Sequence, residues 1–156
     1  MQNATHSSSV VSLRWLVFIA VVAYAPALAF YYVGEEAIFP ITAIEMWQGG
    51  DWIRQHMYGG NLQHNPLFTW LIIPFASMTG WEFMLPVTRA LTIAATLATA
   101  GILGWLTLRL MHDRALAWFA ALLYLTMADV ALYRGWLAYV DPLFAMFVFG
   151  AIACLW

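Results

Sequence analysis

Charge is scarce in this sequence: Asp, Glu, Lys and Arg together make up 9% of 156 residues, where an ordinary soluble domain carries about 25%. Hydrophobic residues make up 64%, so a water-soluble fold of this length would lack the polar residues to cover its surface. The formal net charge is −2, and without a basic excess nothing points to nucleic acid as a partner. The single cysteine, Cys154, stands in an apolar run, which excludes a disulfide framework and a cysteine-based zinc site. No internal repeat or low-complexity tract interrupts the chain.

What is abundant is long apolar sequence. A membrane span needs about 20 mostly apolar residues. Runs of that kind cover residues 15–33, after Arg14, and 90–108, between Arg89 and Arg109. A third covers 115–133, with Asp129 near its end, and a shorter one covers 142–156. The stretch 66–79 is apolar but short and carries Pro74, which fits an interfacial helix better than a crossing. A second interfacial helix is expected at 36–48, with Ile41, Ile44, Met46 and Trp47 on its apolar face and Gly49-Gly50 ending it. The predicted fold class is therefore all-α, a polytopic transmembrane helix bundle with interfacial helices in its first outer loop. The polar first dozen residues are expected to lack order. Ala27-Leu28-Ala29 also has the small-x-small form of a signal-peptide cleavage site, although the apolar run continues past it without a polar break.

Positive residues favour the cytoplasmic side. Arg14 places the amino terminus there, and the loop after the first run falls outside. If 66–79 does not cross, the turn from Arg109 to Arg114 is cytoplasmic and Asp141 reaches the outer side. Ala94 with Ala98, and Ala100 with Gly104, have the four-residue spacing that lets helix backbones approach closely.

The outer segments hold the candidate chemistry. Glu35 and Glu36 adjoin the end of a span, where a carboxylate carries a desolvation cost. Asp141 precedes Pro142 at an expected helix start, which also suits a capping role. Acidic groups converging at one membrane face can act as general base and as metal or substrate anchor; they can equally line an ion path. His56, Asn61, Gln63, His64 and Asn65 add polar groups, but two histidines eight apart are not a metal motif. Trp47, Trp52, Trp70 and Trp81 fit an interfacial aromatic belt.

The ordered set Glu35-Glu36, Glu45-Met46-Trp47, Gly50-Asp51-Trp52, Asn65-Pro66, Arg89, Trp105 to Leu110, Asp113-Arg114, Leu123-Tyr124-Leu125 and Val140-Asp141-Pro142 resembles the bacterial protein O-mannosyltransferase superfamily. Within it the sequence is most similar to lipid A aminoarabinose transferases, membrane glycosyltransferases of the C-type fold. The resemblance implies transfer of a sugar from a polyprenyl-phosphate donor to lipid A, a glycan or a protein, at the outer face of the bacterial inner membrane. It implies Glu35 and Asp141 as catalytic residues, with Glu36, His64, Asn65, Arg54 and Arg134 as candidates to bind substrate. Glu35 stands where the family has aspartate, and Asn65 and Ile38 stand where it has basic residues. The cofactor stays open, a divalent cation being compatible with the carboxylates; no metal ligands are assigned. Membrane lipids complete the expected partners. Enzymes of the family are several times longer, which makes this chain their N-terminal part. Two other classes remain in view: a non-catalytic lipid-binding or scaffold relative, and an ion-coupled transporter.

Overall fold

The computed structural model describes residues 2–62 and 64–155; Gln63, named above, and Trp156, the last residue of the run 142–156, lie outside that set. The chain is mostly helical. Helix α1 spans Gln2–Val22, α2 Ile38–Gly49, α3 Leu67–Thr79, α4 Met84–Met111, α5 Arg114–Thr126 and α6 Asp141–Leu155. One feature departs from an all-α fold. Strands β1 (Gln55–Met57) and β2 (Gly60–Leu62) form an antiparallel hairpin. Its two turn residues, Tyr58 and Gly59, both have positive φ, 53° and 80°, as a tight hairpin turn of the primed type requires. Asn61 and the histidines hid this hairpin among polar residues.

Helix α4 is the axis of the molecule. Its 28 residues make a rod of about 42 Å at 1.5 Å per residue. The helix α5 returns along it after a two-residue turn: His112 takes a left-handed conformation, and the Asp113 carboxylate caps α5 by accepting from Ala115 N and Leu116 N. Small residues let the two helices close. A Cβ on Gly104 would stand 3.2 Å from the Ala117 carbonyl oxygen, whereas one on Gly101 would meet nothing within 4 Å. The helix α1 lies parallel to α5, with Arg14 over the Trp118 ring and Tyr24 Oη donating to the Leu125 carbonyl. The helix α6 runs parallel to α4, since Thr92 reaches Tyr139 and Gly150 faces Ile102.

This winding separates charge along the axis. Arg14, Arg109 and Arg114 gather at one end with Asp113. The opposite end holds Arg89 and Glu36, the entry to α6, and a cap made of α2, α3 and the hairpin. Helix α3 has 13 residues, about 20 Å, and packs on α2 and the first turns of α4 through Phe68, Ile72, Ile73 and Ala76. The segment from Val10 to Ala29 and that from Trp81 to Met111 are long and apolar enough to cross a membrane; the helices 67–79, 114–126 and 141–155 are apolar but shorter.

Several boundaries differ from those read in the sequence, each for a physical reason. The polar amino-terminal residues continue α1 back to Gln2, since extending a formed helix gains one hydrogen bond per residue. The run 15–33 is not one helix. Pro26 lacks an N–H and turns the chain into a 3₁₀ segment at Ala25–Ala29, followed by extended backbone. The run 115–133 breaks at Met127, where no Gly or Pro stands; the Leu125 carbonyl, which a continuing helix would use, accepts from Tyr24 instead. In α2 the buried residues are Phe39, Pro40, Thr42, Ala43 and Met46; of the expected stripe Ile41, Ile44, Met46 and Trp47, Met46 alone is buried, because α3 packs on the other side of the helix.

The close approach at Gly104 gives a stability prediction. Gly104→Val should lower unfolding stability in detergent by about 1–3 kcal/mol, the range for overpacking. Gly101→Ala should be neutral or stabilising, since alanine favours a helix over glycine by up to about 1 kcal/mol. Denaturant titration followed by circular dichroism separates the two.

Candidate functional site

Arg89 sits one turn and a half into α4 and is fully buried with Glu36. Its five N–H groups all find acceptors. Nε donates to Glu36 Oε2 at 3.0 Å and Nη2 to Glu36 Oε1. Nη1 donates to the carbonyls of Ala27 at 2.8 Å and Phe30 at 2.6 Å, and Nη2 to that of Tyr31 at 2.9 Å. Glu36 in turn accepts from Val33 N at 2.7 Å and from Ala138 N at 3.4 Å. The broken run at 25–33 thereby recovers its lost hydrogen bonds. Glu36, a candidate substrate-binding residue from the sequence, is enclosed and saturated; its carboxylate ties the first loop to α4 and to the segment before α6.

Glu35, its neighbour, points the other way and is exposed. Gly34, with φ +62°, makes the turn that separates them, and the Tyr133 and Tyr139 hydroxyls lie 3.6 and 3.9 Å from where its Cβ would be. Those two phenols hydrogen-bond each other at 2.9 Å. The Tyr139 phenol is pushed up to about 12, first by that bond and then by burial; the Glu35 carboxylate adds to the effect while a hydrogen bond from the Glu35 backbone opposes it. Glu35 also lines an open cleft of about 550 Å³ with Tyr32, Ala37, Ile38, Ile41, Met57 and Tyr58. The hairpin turn is held at this cleft by Glu45, which accepts from Tyr58 N at 2.8 Å.

Asp141 opens α6 and lies two residues beyond Tyr139. It pairs with Arg134 Nη1 at 3.3 Å, while Arg134 Nε stands 3.5 Å from Asp129. All three side chains are about half exposed, so these contacts position the groups more than they stabilise the fold. The fold thus brings the loop bearing Glu35 against the segment that carries Tyr133, Arg134, Tyr139 and Asp141, about a hundred residues later. Threonines fix that segment. Thr92 Oγ1 lies 3.2 Å from the carbonyls of both Thr88 and Tyr139, and Thr96 Oγ1 lies 3.0 Å from the Thr92 carbonyl and 2.9 Å from that of Gly135. Each hydroxyl has one proton to share between its two acceptors.

The other candidates fall on the cap and outside the cleft lining. The Asn65 carboxamide oxygen accepts from Leu67 N at the start of α3, a local turn role. His64 is exposed and meets Phe39 edge-on, centroids 6.0 Å apart. Arg54 is exposed, and its backbone N–H donates to Asp51. The Asp51 carboxyl is held below its ordinary value chiefly by the Arg54 and Ile53 N–H groups, with His56 contributing less. No group of three or more metal-ligating side chains occurs among the described residues. Arg89 entered the sequence reading only as the residue that starts a span, and Tyr133, Tyr139 and the threonine stripe were missed. The four-residue spacing of Thr88, Thr92 and Thr96 in an apolar helix was the available signal.

The buried pair makes a sharp expectation. Glu36→Ala or Arg89→Ala should each destabilise by about 3–5 kcal/mol, because the remaining charge is left buried and unpaired. The double variant Glu36→Gln/Arg89→Met should be less damaging than the sum of its single changes. Unfolding in detergent for the four proteins of that cycle measures the coupling, and additive losses would show that the pair is not a unit.

No protein-family model matches the chain, and no solved structure matches it.

Proposed function

We propose that the chain belongs to a polytopic membrane glycosyltransferase that uses a polyprenyl-phosphate-linked sugar. Its site is the outer-facing surface between Glu35 and Asp141. The observation that carries this reading is the meeting of two distant acidic segments beside an open cleft. Glu35 is exposed at the cleft wall, and its loop is anchored against residues 133–141.

The membrane placement is supported by where apolar side chains point. Trp15, Phe18 and Ile19 on α1, Leu108 and Met111 on α4, Phe119 and Leu123 on α5, and Phe144 and Phe147 on α6 are all exposed. Only 11% of the first span-length segment is buried, whereas the core helix of a soluble protein would be mostly enclosed. The arginine-bearing end, with Arg14, Arg109 and Arg114, then faces the cytoplasm by the charge rule. The cap and Glu35 face outward, with the amino terminus inside and α3 lying on the outer side. The resemblance to the O-mannosyltransferase superfamily supplies the substrate class.

The chemistry is a single inverting displacement. The Glu35 carboxylate takes the proton of the acceptor hydroxyl or amine as its oxygen or nitrogen attacks the anomeric carbon. The bond from that carbon to the phosphate oxygen breaks, and the electron pair leaves with the lipid phosphate. Arg134, shared between Asp129 and Asp141, is the cation assigned to this departing charge. Tyr139, its phenol pushed up by its bond to Tyr133 and by burial, stays neutral at physiological pH, and the Tyr133–Tyr139 pair offers hydroxyls to a sugar.

One observation favours a non-catalytic lipid-binding relative as the second reading. Asn65 accepts from Leu67 N in a local turn and Ile38 lines the cleft, so the two basic positions implied by the resemblance supply no charge. A transporter is less well supported: Arg89 neutralises Glu36, and Glu35, Asp129 and Asp141 are exposed at one end of the bundle.

Two measurements decide. In proteoliposomes with a polyprenyl-phosphate sugar donor, Glu35→Gln should reduce transfer by about 10² or more, the range for a positioned general base; Glu35→Asp should be milder. Near-normal transfer by Glu35→Gln removes the residue from the mechanism, and no transfer by any form leaves the second reading standing. For the topology, cysteines placed at the exposed positions Ile53 and Met111 should react with an impermeant thiol reagent from opposite sides. Reaction of both from one side sinks the arrangement.

A further inference from the structure

At the arginine end of the bundle, α1, α4 and α5 leave a groove of about 360 Å³ between them, lined by Arg14, Trp105, Arg114, Trp118 and a floor of small residues including Gly101 and Gly104. It is far from Glu35, at the other end of α4. Its floor is bare: the Gly101 position opens onto nothing within 4 Å. Its mouth is cationic. Arg14 and Arg114 are exposed, and among the described residues neither lies within ion-pairing distance of a carboxylate. Asp113, the acidic residue of that end, accepts from the backbone of α5. Trp118 holds the Arg14 guanidinium 5.6 Å above its ring, a cation–π contact that fixes the charge at the rim.

We propose that this groove holds one anionic glycerophospholipid, its phosphate between Arg14 and Arg114 and an acyl chain laid along Gly101 and Gly104. The inference rests on the membrane placement proposed above and not on the transfer reaction. Three features select this occupant. Two arginines at one rim match a phosphate with bidentate geometry, and basic pockets between helices on the cytoplasmic side suit anionic head groups. The groove below them is lined by apolar residues, which suits a hydrocarbon chain and leaves a free inorganic anion unsupported on its apolar side. A second copy of this chain in the same membrane would bring its own arginines to the same depth, so like charges would oppose that contact.

The test uses the full chain in detergent micelles, with retained lipid counted by native mass spectrometry after addition of phosphatidylglycerol or phosphatidylcholine. Flotation with vesicles establishes membrane insertion separately, so failure of the membrane reading is recognised on its own. The parent protein should retain phosphatidylglycerol over phosphatidylcholine by about tenfold, within what two arginines near an anionic head group supply. Arg14→Gln/Arg114→Gln should abolish that preference. Gly101→Leu should fill the slot and cut retention of phosphatidylglycerol by a similar factor, while its helix content and unfolding midpoint stay at or above those of the parent. If the arginine double variant fails to fold, Gly101→Leu decides alone. Equal retention of both lipids, full retention by a folded Gly101→Leu, displacement of the lipid by excess inorganic phosphate, or co-purification of an apolar peptide in its place overturns the proposal.

Discussion

The buried ion pair of Arg89 and Glu36 organises the end of the molecule where the candidate site lies. Placing two charges out of water is expensive unless every hydrogen-bonding position is used, and here the guanidinium has five acceptors and the carboxylate four donated bonds. The pair does more than neutralise itself. Three of the acceptors are backbone carbonyls released where Pro26 interrupts α1, and one of the donors is the Ala138 N–H ahead of α6. One side chain therefore sets the end of the first helix, the path of the first loop and the position of the segment bearing Tyr139 and Asp141. Glu35 is exposed because Glu36 is held.

The threonines of α4 complete that arrangement. Residues 127–140 are irregular, with a π-helical turn at Val130–Arg134, and their buried carbonyls need partners within the protein. Thr92 and Thr96 supply hydroxyls to two of them. Gly135 closes the π turn by bringing its N–H to the Val130 carbonyl at 3.0 Å. A Cβ there would stand 2.3 Å from that oxygen, which requires glycine. Irregular backbone beside an ionisable cluster is where strain and chemistry tend to coincide, and the Tyr133–Tyr139 pair sits in it.

The two ends of the bundle are built by different physics. At the Glu35 end, charge is concentrated and locked by buried hydrogen bonds, with α2, α3 and the hairpin packed over it. At the other end, arginines stand over tryptophan rings and small residues leave open space between helices. The first arrangement suits a site that must hold groups in place.

Much of the helical outline was legible because it depends on composition and run length. The apolar stretches around α1, α4, α5 and α6, the short apolar helices either side of the hairpin and the close α4–α5 approach through Gly104 are all written in local sequence. The acidic residues Glu35 and Asp141 could be singled out for the same reason, as charges at the ends of apolar runs. What local sequence could not contain was any event decided by a partner far along the chain. The break at Met127 depends on Tyr24, the buried face of α2 depends on α3, and the enclosure of Glu36 depends on Arg89, 53 residues later. Nor does the adjacency of Glu35 and Glu36 say which one faces solvent; the turn at Gly34 and the reach of Arg89 decide it. The sequence by itself determined which segments are apolar helices and where charge is allowed. Only the tertiary structure decided which charges are paired and which are free, because that depends on long-range hydrogen bonds that no local pattern encodes.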